Sequence, residues 1–298
     1  MVELLFERSV DSNVVDAGRN KKKQKRLGRM RFGKAERMHS IIVQIGPFTV
    51  YSYGLMIAVG ILTAFYTSIV RAKKRGMDAD ELFNMGLIGL AGGLIGAKLL
   101  YWITELPEII RNPRLMLQLN EGFVVYGGLI CGFLAPYVYT RVKKLPFWSY
   151  LDLAVAGVAA AQGFGRIGCF LAGCCYGKET SGVFGVVFPE GSLAPAGVPL
   201  IPTQLISSAG DFVIALILYL AGKKERKPGV VSGLYLVLYS VGRFLIEFLR
   251  NDPRGTVGVL STSQFIALFT LALGIAVMMF HLRGGQAKTD AAGQSAEK

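Results

Sequence analysis

The feature that most constrains this chain is a succession of seven apolar runs, each close to the length of a membrane crossing. They fall at roughly 50–70, 82–104, 123–140, 149–172, 204–221, 229–249 and 262–281. A helix needs about 20 apolar residues to traverse the hydrocarbon core. In lipid every backbone amide must find its partner within the protein, so runs of this length read as helices. The composition agrees: 52% of the 298 residues are hydrophobic, 18% are charged and mean hydropathy is +0.44, whereas soluble domains carry about 25% charged residues. The 37 glycines suit helices that pack closely in a bilayer. The expected fold is an all-α integral membrane protein with about seven transmembrane helices.

The net charge of +13 invites a nucleic-acid partner, but its distribution argues for topology instead. RAKKR (71–75), RVKK (141–144), KKERK (223–227) and HLR (281–283) follow the first, third, fifth and seventh runs. The alternate connections, ELPEIIRNPR (105–114), 178–202 and NDPRGT (251–256), are mixed or acidic. Basic clusters mark the cytoplasmic side, so the core is expected to start outside, cross seven times and end inside. No nucleic-acid partner is expected. The basic leader, residues 1–37, conflicts with an outward start. Either it is a cytoplasmic extension or Met38 is the first residue. In both cases 1–37 is expected to be disordered, like the polar tail 284–298, leaving 38–283 as the membrane domain. The 178–202 loop, with VFGVVFP as a candidate strand, is expected to form a small extracytoplasmic cap.

On this topology the unusual polar residues converge. Tyr53 opens the first span, Lys98 lies late in the second and Tyr126 opens the third. Gln162 and Arg166 lie late in the fourth, Thr203 and Gln204 open the fifth, and Arg243, Glu247 and Arg250 close the sixth. All are placed in the outer half of the bilayer. Arg243, Glu247 and Arg250 follow i, i+4, i+7 spacing and share a helix face. An arginine at membrane depth is costly to desolvate; Arg166, flanked by Gly165 and Gly168, can grip a phosphate through two parallel hydrogen bonds. That points to a lipid headgroup as ligand. The alternatives are helix glue for Arg166, an interfacial ion pair for the Arg243 group, a snorkelling Lys98 and an interfacial-belt Tyr126. The glycines of YGGLICG (126–132) lack the context of a phosphate loop and are expected to serve close packing.

The four cysteines, Cys131, Cys169, Cys174 and Cys175, all lie in or beside apolar runs. They form no paired CxxC framework, and the two histidines, His39 and His281, are placed on opposite faces. Small apolar filling is the expected role and no metal site is expected; the adjacent pair Cys174–Cys175 remains open to oxidation.

The sequence resembles the prolipoprotein diacylglyceryl transferase family over nearly all of residues 40–283. The family signature GRIGNFxNxExxG appears as GRIGCFLAGCCYG, with Arg166 and Gly177 in place. YGL appears at Tyr53–Leu55, the HGGLIG element at Tyr126–Gly132 and PTQLYE at Pro202–Ser207; the late R-F-x-x-E-x-x-R appears as Arg243, Phe244, Glu247 and Arg250. The resemblance implies an enzyme of the bacterial cytoplasmic membrane, with its active site on the extracytoplasmic side. Such an enzyme moves diacylglyceryl from phosphatidylglycerol to the lipobox cysteine of a preprolipoprotein signal peptide. Glycerol-1-phosphate leaves, without cofactor or metal. The resemblance maps phosphate handling onto Arg166 and Arg243. Together with the convergence on the outer side, the expected catalytic residues are Tyr126, Arg166, Arg243 and Glu247, and the expected substrate-binding residues are Tyr53, Lys98, Gln162, Gly165, Cys169, Gly177, Thr203, Gln204 and Arg250.

Two departures from the pattern matter. The family histidine is Tyr126 and the signature asparagine is Cys169. A base must then be Tyr126, Glu247 or the substrate thiol itself, ionised in a positive site; the last is preferred. Two rival readings are a lipid or anion transporter, which predicts polar residues along a whole route through the membrane, and an inactive relative serving as a scaffold.

Overall fold

The computed structural model describes residues 41–45, 48–117, 122–224, 226–252 and 255–283. The leader 1–37, the tail 284–298 and His39 lie outside the described residues. A two-stranded antiparallel hairpin, β1 (Ile41–Ile45) and β2 (Phe48–Tyr51), leads into α1 (Ser52–Lys74). Then come α2 (Ala79–Thr104), the short α3 (Leu106–Arg111), α4 (Val125–Val142) and α5 (Phe147–Ala172). The chain finishes with α6 (Thr203–Ala221), α7 (Val230–Glu247) and α8 (Thr262–Arg283). All seven expected runs are helical, with ends within a few residues of expectation. The connection 105–114 carries α3 and enters a 3-10 turn at Pro113–Leu117.

Six helices are long and apolar enough to cross a membrane: α1, α2, α5, α6, α7 and α8. This is the architecture of a multi-pass membrane protein. Helix α4 is the exception. Its 18 residues include Pro136 and a polar YVYTRV end, which dilute its hydropathy.

The packing pairs α1 with α5, α2 with α4, α5 with α6, and α7 with α8. Small residues permit these contacts. A Cβ on Gly127 would fall 2.2 Å from Gly96 O across the α2–α4 crossing, so the YGGLICG glycines do serve close packing. Large apolar side chains such as Leu62, Ile103 and Phe269 face outward, as lipid-facing surfaces require.

One end of the bundle is stitched by charges. Arg71 donates to Leu153 O at 2.8 Å, and Arg75 donates to Gly222 O and Lys224 O, which are carbonyls at the C-terminus of α6. Asp152 on α5 accepts from Gly229 N (2.8 Å), Ser232 N (2.7 Å) and Ser232 Oγ, capping the start of α7. At the opposite end the 178–202 loop folds as anticipated around a short strand. β3 (Val186–Val187) pairs antiparallel with β4 (Pro199–Leu200). Phe188, Ala194 and Leu200 form a small core packed on Phe170 and Tyr176, at the end of α5. A last pair of two-residue strands, β5 (Thr256–Val257) and β6 (Leu260–Ser261), turns the chain into α8.

Candidate active site

A cavity of about 260 Å³ opens between α5, α6 and α7, at the end of the bundle remote from Asp152. Arg166 enters from α5, Ser207 and Asp211 from α6, and Tyr239 and Arg243 from α7. Part of the wall is bare backbone. A Cβ added at Gly210 or Gly242, which line the cavity, would meet nothing within 4 Å, and the same holds at Gly165 beside Arg166.

The two arginines are held differently. Arg243 is pinned: its guanidinium makes a 2.7 Å ion pair with Glu247 one turn on, and donates to Ser263 Oγ of α8 at 2.7 Å. Arg166 makes no hydrogen bond or ion pair with any described residue. Its charge acts instead on Asp211, Tyr53 and Cys169. Asp211 is 7% exposed and lies within electrostatic reach of both arginines. It too has no hydrogen-bond partner among the described residues. A carboxyl group and two guanidinium cations thus share one small chamber whose remaining walls are mostly apolar. Low local polarity strengthens each of their interactions with a bound ion.

Sequence reasoning missed Asp211. Its signal was present: a lone carboxylate inside the apolar run of α6, one turn after Ser207.

The other expected residues divide. Thr203 and Gln204 are 1% exposed and brace the chain leaving α5: Thr203 Oγ1 donates to Cys175 O at 2.8 Å and Gln204 Nε2 to Cys174 O at 2.7 Å. Gly177 is wedged against Ile201 O, where a Cβ would stand 2.6 Å away, and bridges to Arg250. Arg250 does not line the cavity. It turns to Asp252, which it grips through two bonds of 2.9 Å, and to Cys175. Glu247 is paired with Arg243 and does not line the cavity either. Gln162 accepts from Tyr235 Oη at 2.9 Å and borders a separate apolar groove of about 470 Å³ between α1, α2, α4 and α5.

Lys98 and Tyr126 stay on the α2–α4 pair. Lys98 is buried with its ammonium 5.0 Å and 5.3 Å from the Tyr101 and Phe123 ring centroids. Tyr126 is 48% exposed in the first turn of α4. Neither lines the arginine cavity, because the glycine crossing ties α4 to α2 rather than to α5 and α6. Tyr53 lies against Gly168, with its ring 3.0 Å from a Cβ built there, near Arg166 and the cysteines.

Cys169 belongs to a feature that the spacing did not reveal. Gly173 ends α5 in a left-handed turn (φ 71°), and Cys175 is also left-handed (φ 64°). The chain doubles back, with Cys174 N donating to Cys169 O at 3.1 Å. The Sγ atoms of Cys169, Cys174 and Cys175 then lie within 4.8 Å of one another. The neighbouring Cys169 and Cys174 thiols, helped by the Arg250 guanidinium, favour the ionised form of Cys175 and hold its pKa below the ordinary thiol value.

The model of the family described as prolipoprotein diacylglyceryl transferase matches residues 40–280. The chain belongs to this family. Among its relatives is a phosphatidylglycerol–prolipoprotein diacylglyceryl transferase of Clostridium tetani, 48% identical over 80% of this chain and 96% of the relative. A second enzyme of that name, from Clostridium perfringens, is 45% identical over 85% of this chain and 99% of the relative. One from Clostridioides difficile is 34% identical over 75% and 87%. The matched region of the family spans every helix that lines the cavity.

Proposed function

We propose that this chain transfers the diacylglyceryl group of phosphatidylglycerol to the lipobox cysteine of a preprolipoprotein, and that the Arg166–Asp211–Arg243 cavity is where it does so. The observation that carries this reading is the meeting of Arg166 and Arg243 in one chamber among apolar helices, with Arg166 free of partners among the described residues. A phosphodiester supplies the missing acceptors: Arg243, oriented by Glu247 and Ser263, holds one side and Arg166 the other.

Asp211 fills the gap left by the absent histidine. In the family element PTQLYE the final glutamate corresponds to Ser207 here, and Asp211 lies one turn further along the same helix face, lining the same cavity. In this reading the substrate thiol gives its proton to Asp211. The thiolate attacks the glycerol carbon bonded to the phosphate, a C–S bond forms, and the C–O bond breaks with its electron pair passing to phosphate. Glycerol-1-phosphate leaves with a second negative charge, which the two arginines stabilise. Holding both reactants at one site supplies much of the acceleration. Tyr126, which does not line the cavity, is not needed as base.

The topology that accompanies this reading has seven crossings, with α4 as the short one. The cavity lies toward the extracytoplasmic face of the bacterial cytoplasmic membrane, and the Arg71–Asp152 end lies toward the cytoplasm, where RAKKR, RVKK and KKERK also fall. The apolar groove beside Gln162 suits acyl chains entering sideways from the bilayer. The test is a gel-shift assay of a lipobox peptide in phosphatidylglycerol vesicles with the purified protein. A shifted peptide is expected with the intact protein and, in the same reaction time, almost none with Arg166→Ala inserted to the same level. Full activity of that variant would remove the phosphate assignment.

A further inference from the structure

The three sulfurs at the end of α5 play no part in the chemistry above and stand outside the cavity lining. Four thiolates at about 2.3 Å around a tetrahedral zinc ion sit roughly 3.8 Å from one another. The Cys169, Cys174 and Cys175 Sγ atoms, all within 4.8 Å, need only a small closing movement to reach that arrangement. Their scaffold is rigid where it matters. Thr203 and Gln204 fix the carbonyls of Cys175 and Cys174, and Cys174 N is bound to Cys169 O. The thiols themselves are half-buried, so an ion can enter and keep one open position.

From these facts we infer that Cys169, Cys174 and Cys175 form a binding site for a thiophilic d10 cation of the Zn2+ class. Binding releases the thiol protons and forms three metal–sulfur bonds. Three thiolates and Zn2+ leave one net negative charge, which the Arg250 guanidinium, within electrostatic reach of Cys175, offsets. A water or the Gln204 carboxamide oxygen completes the coordination. That oxygen is buried and has no hydrogen-bond partner among the described residues, while its nitrogen holds Cys174 O. Soft thiolate donors favour zinc and monovalent copper over magnesium or calcium. An occupied site locks the α5–α6 connection, and with it the cap and Arg250, beside the arginine cavity.

The test uses the full chain, reduced and in detergent, with metal alone. Titration with Co2+ is expected to give a thiolate-to-cobalt charge-transfer band saturating at one ion per chain, bleached by Zn2+ and lost in Cys169→Ser/Cys174→Ser/Cys175→Ser. On the unmodified chain, mass spectrometry after alkylation is expected to find all four cysteines labelled without metal and Cys131 alone with Zn2+. Labelling of all four at the same rate in saturating Zn2+ overturns the proposal. So does loss of two sites without metal that reductant restores, which reports a disulfide. Neither readout involves lipid or peptide transfer, so a failure here leaves the transferase reading standing.

Discussion

The two ends of α5 place charged residues among apolar helices on opposite terms. Asp152 and Arg166 lie on one helix, about 21 Å apart at 1.5 Å per residue. Around Asp152 the fold absorbs the buried charges: the carboxylate caps α7 through three hydrogen bonds, Arg71 satisfies a carbonyl of α5, and Arg75 satisfies carbonyls just past the end of α6. Around Arg166 only Arg243 is tied down, by Glu247 and Ser263. Arg166 and Asp211 face a cavity with no protein partner among the described residues. Polar groups consumed by their neighbours build a structure. Polar groups held open by rigid neighbours await a ligand.

Substitutions should therefore separate the two ends. The largest effect is expected for Asp211→Asn, which keeps shape but removes the proton acceptor; transfer should drop by about 10²–10⁴-fold, measured as initial rate in vesicles. Arg166→Ala should lower the rate by about 10²–10³-fold at unchanged membrane insertion. Glu247→Ala leaves the partly buried Arg243 without its ion-pair partner, at a cost of up to about 3 kcal/mol, and should lower both activity and thermal stability. Asp152→Ala should do the reverse of Arg166→Ala. It orphans two backbone donors at the start of α7, each costing about 1–3 kcal/mol when buried, so the melting temperature falls while the rate per folded molecule holds. The smallest effect is expected for Tyr126→Phe, which should retain most of the activity. A collapse of the rate there would return Tyr126 to the chemistry and weaken the case for Asp211.

Much of this contrast was legible in the residues. Run length marks the helices, and the alternation of basic connections places Arg166, Gln204 and Arg243 at one end of the bundle. Other parts were not legible, for reasons that are local. Asp211 sits in an unbroken apolar run, where helix periodicity is strong and a single carboxylate hardly alters it. Lys98 and Tyr126 were expected at the site because they share its depth; depth does not say which neighbour a helix chooses, and Gly96 against Gly127 commits α4 to α2. Arg250 shares a helical spacing with Arg243, but α7 ends at Glu247, so Arg250 follows the loop toward Asp252. The gathering of three cysteines depends on two successive left-handed turns at Gly173 and Cys175, which no spacing rule for regular helices contains.

The most direct test of the central claim is an experimental structure with phosphatidylglycerol bound. The account predicts the lipid phosphate within hydrogen-bond distance of both Arg166 and Arg243, with the adjacent glycerol carbon facing Asp211. A phosphate seated elsewhere, with the cavity between α5, α6 and α7 left to water, would contradict it.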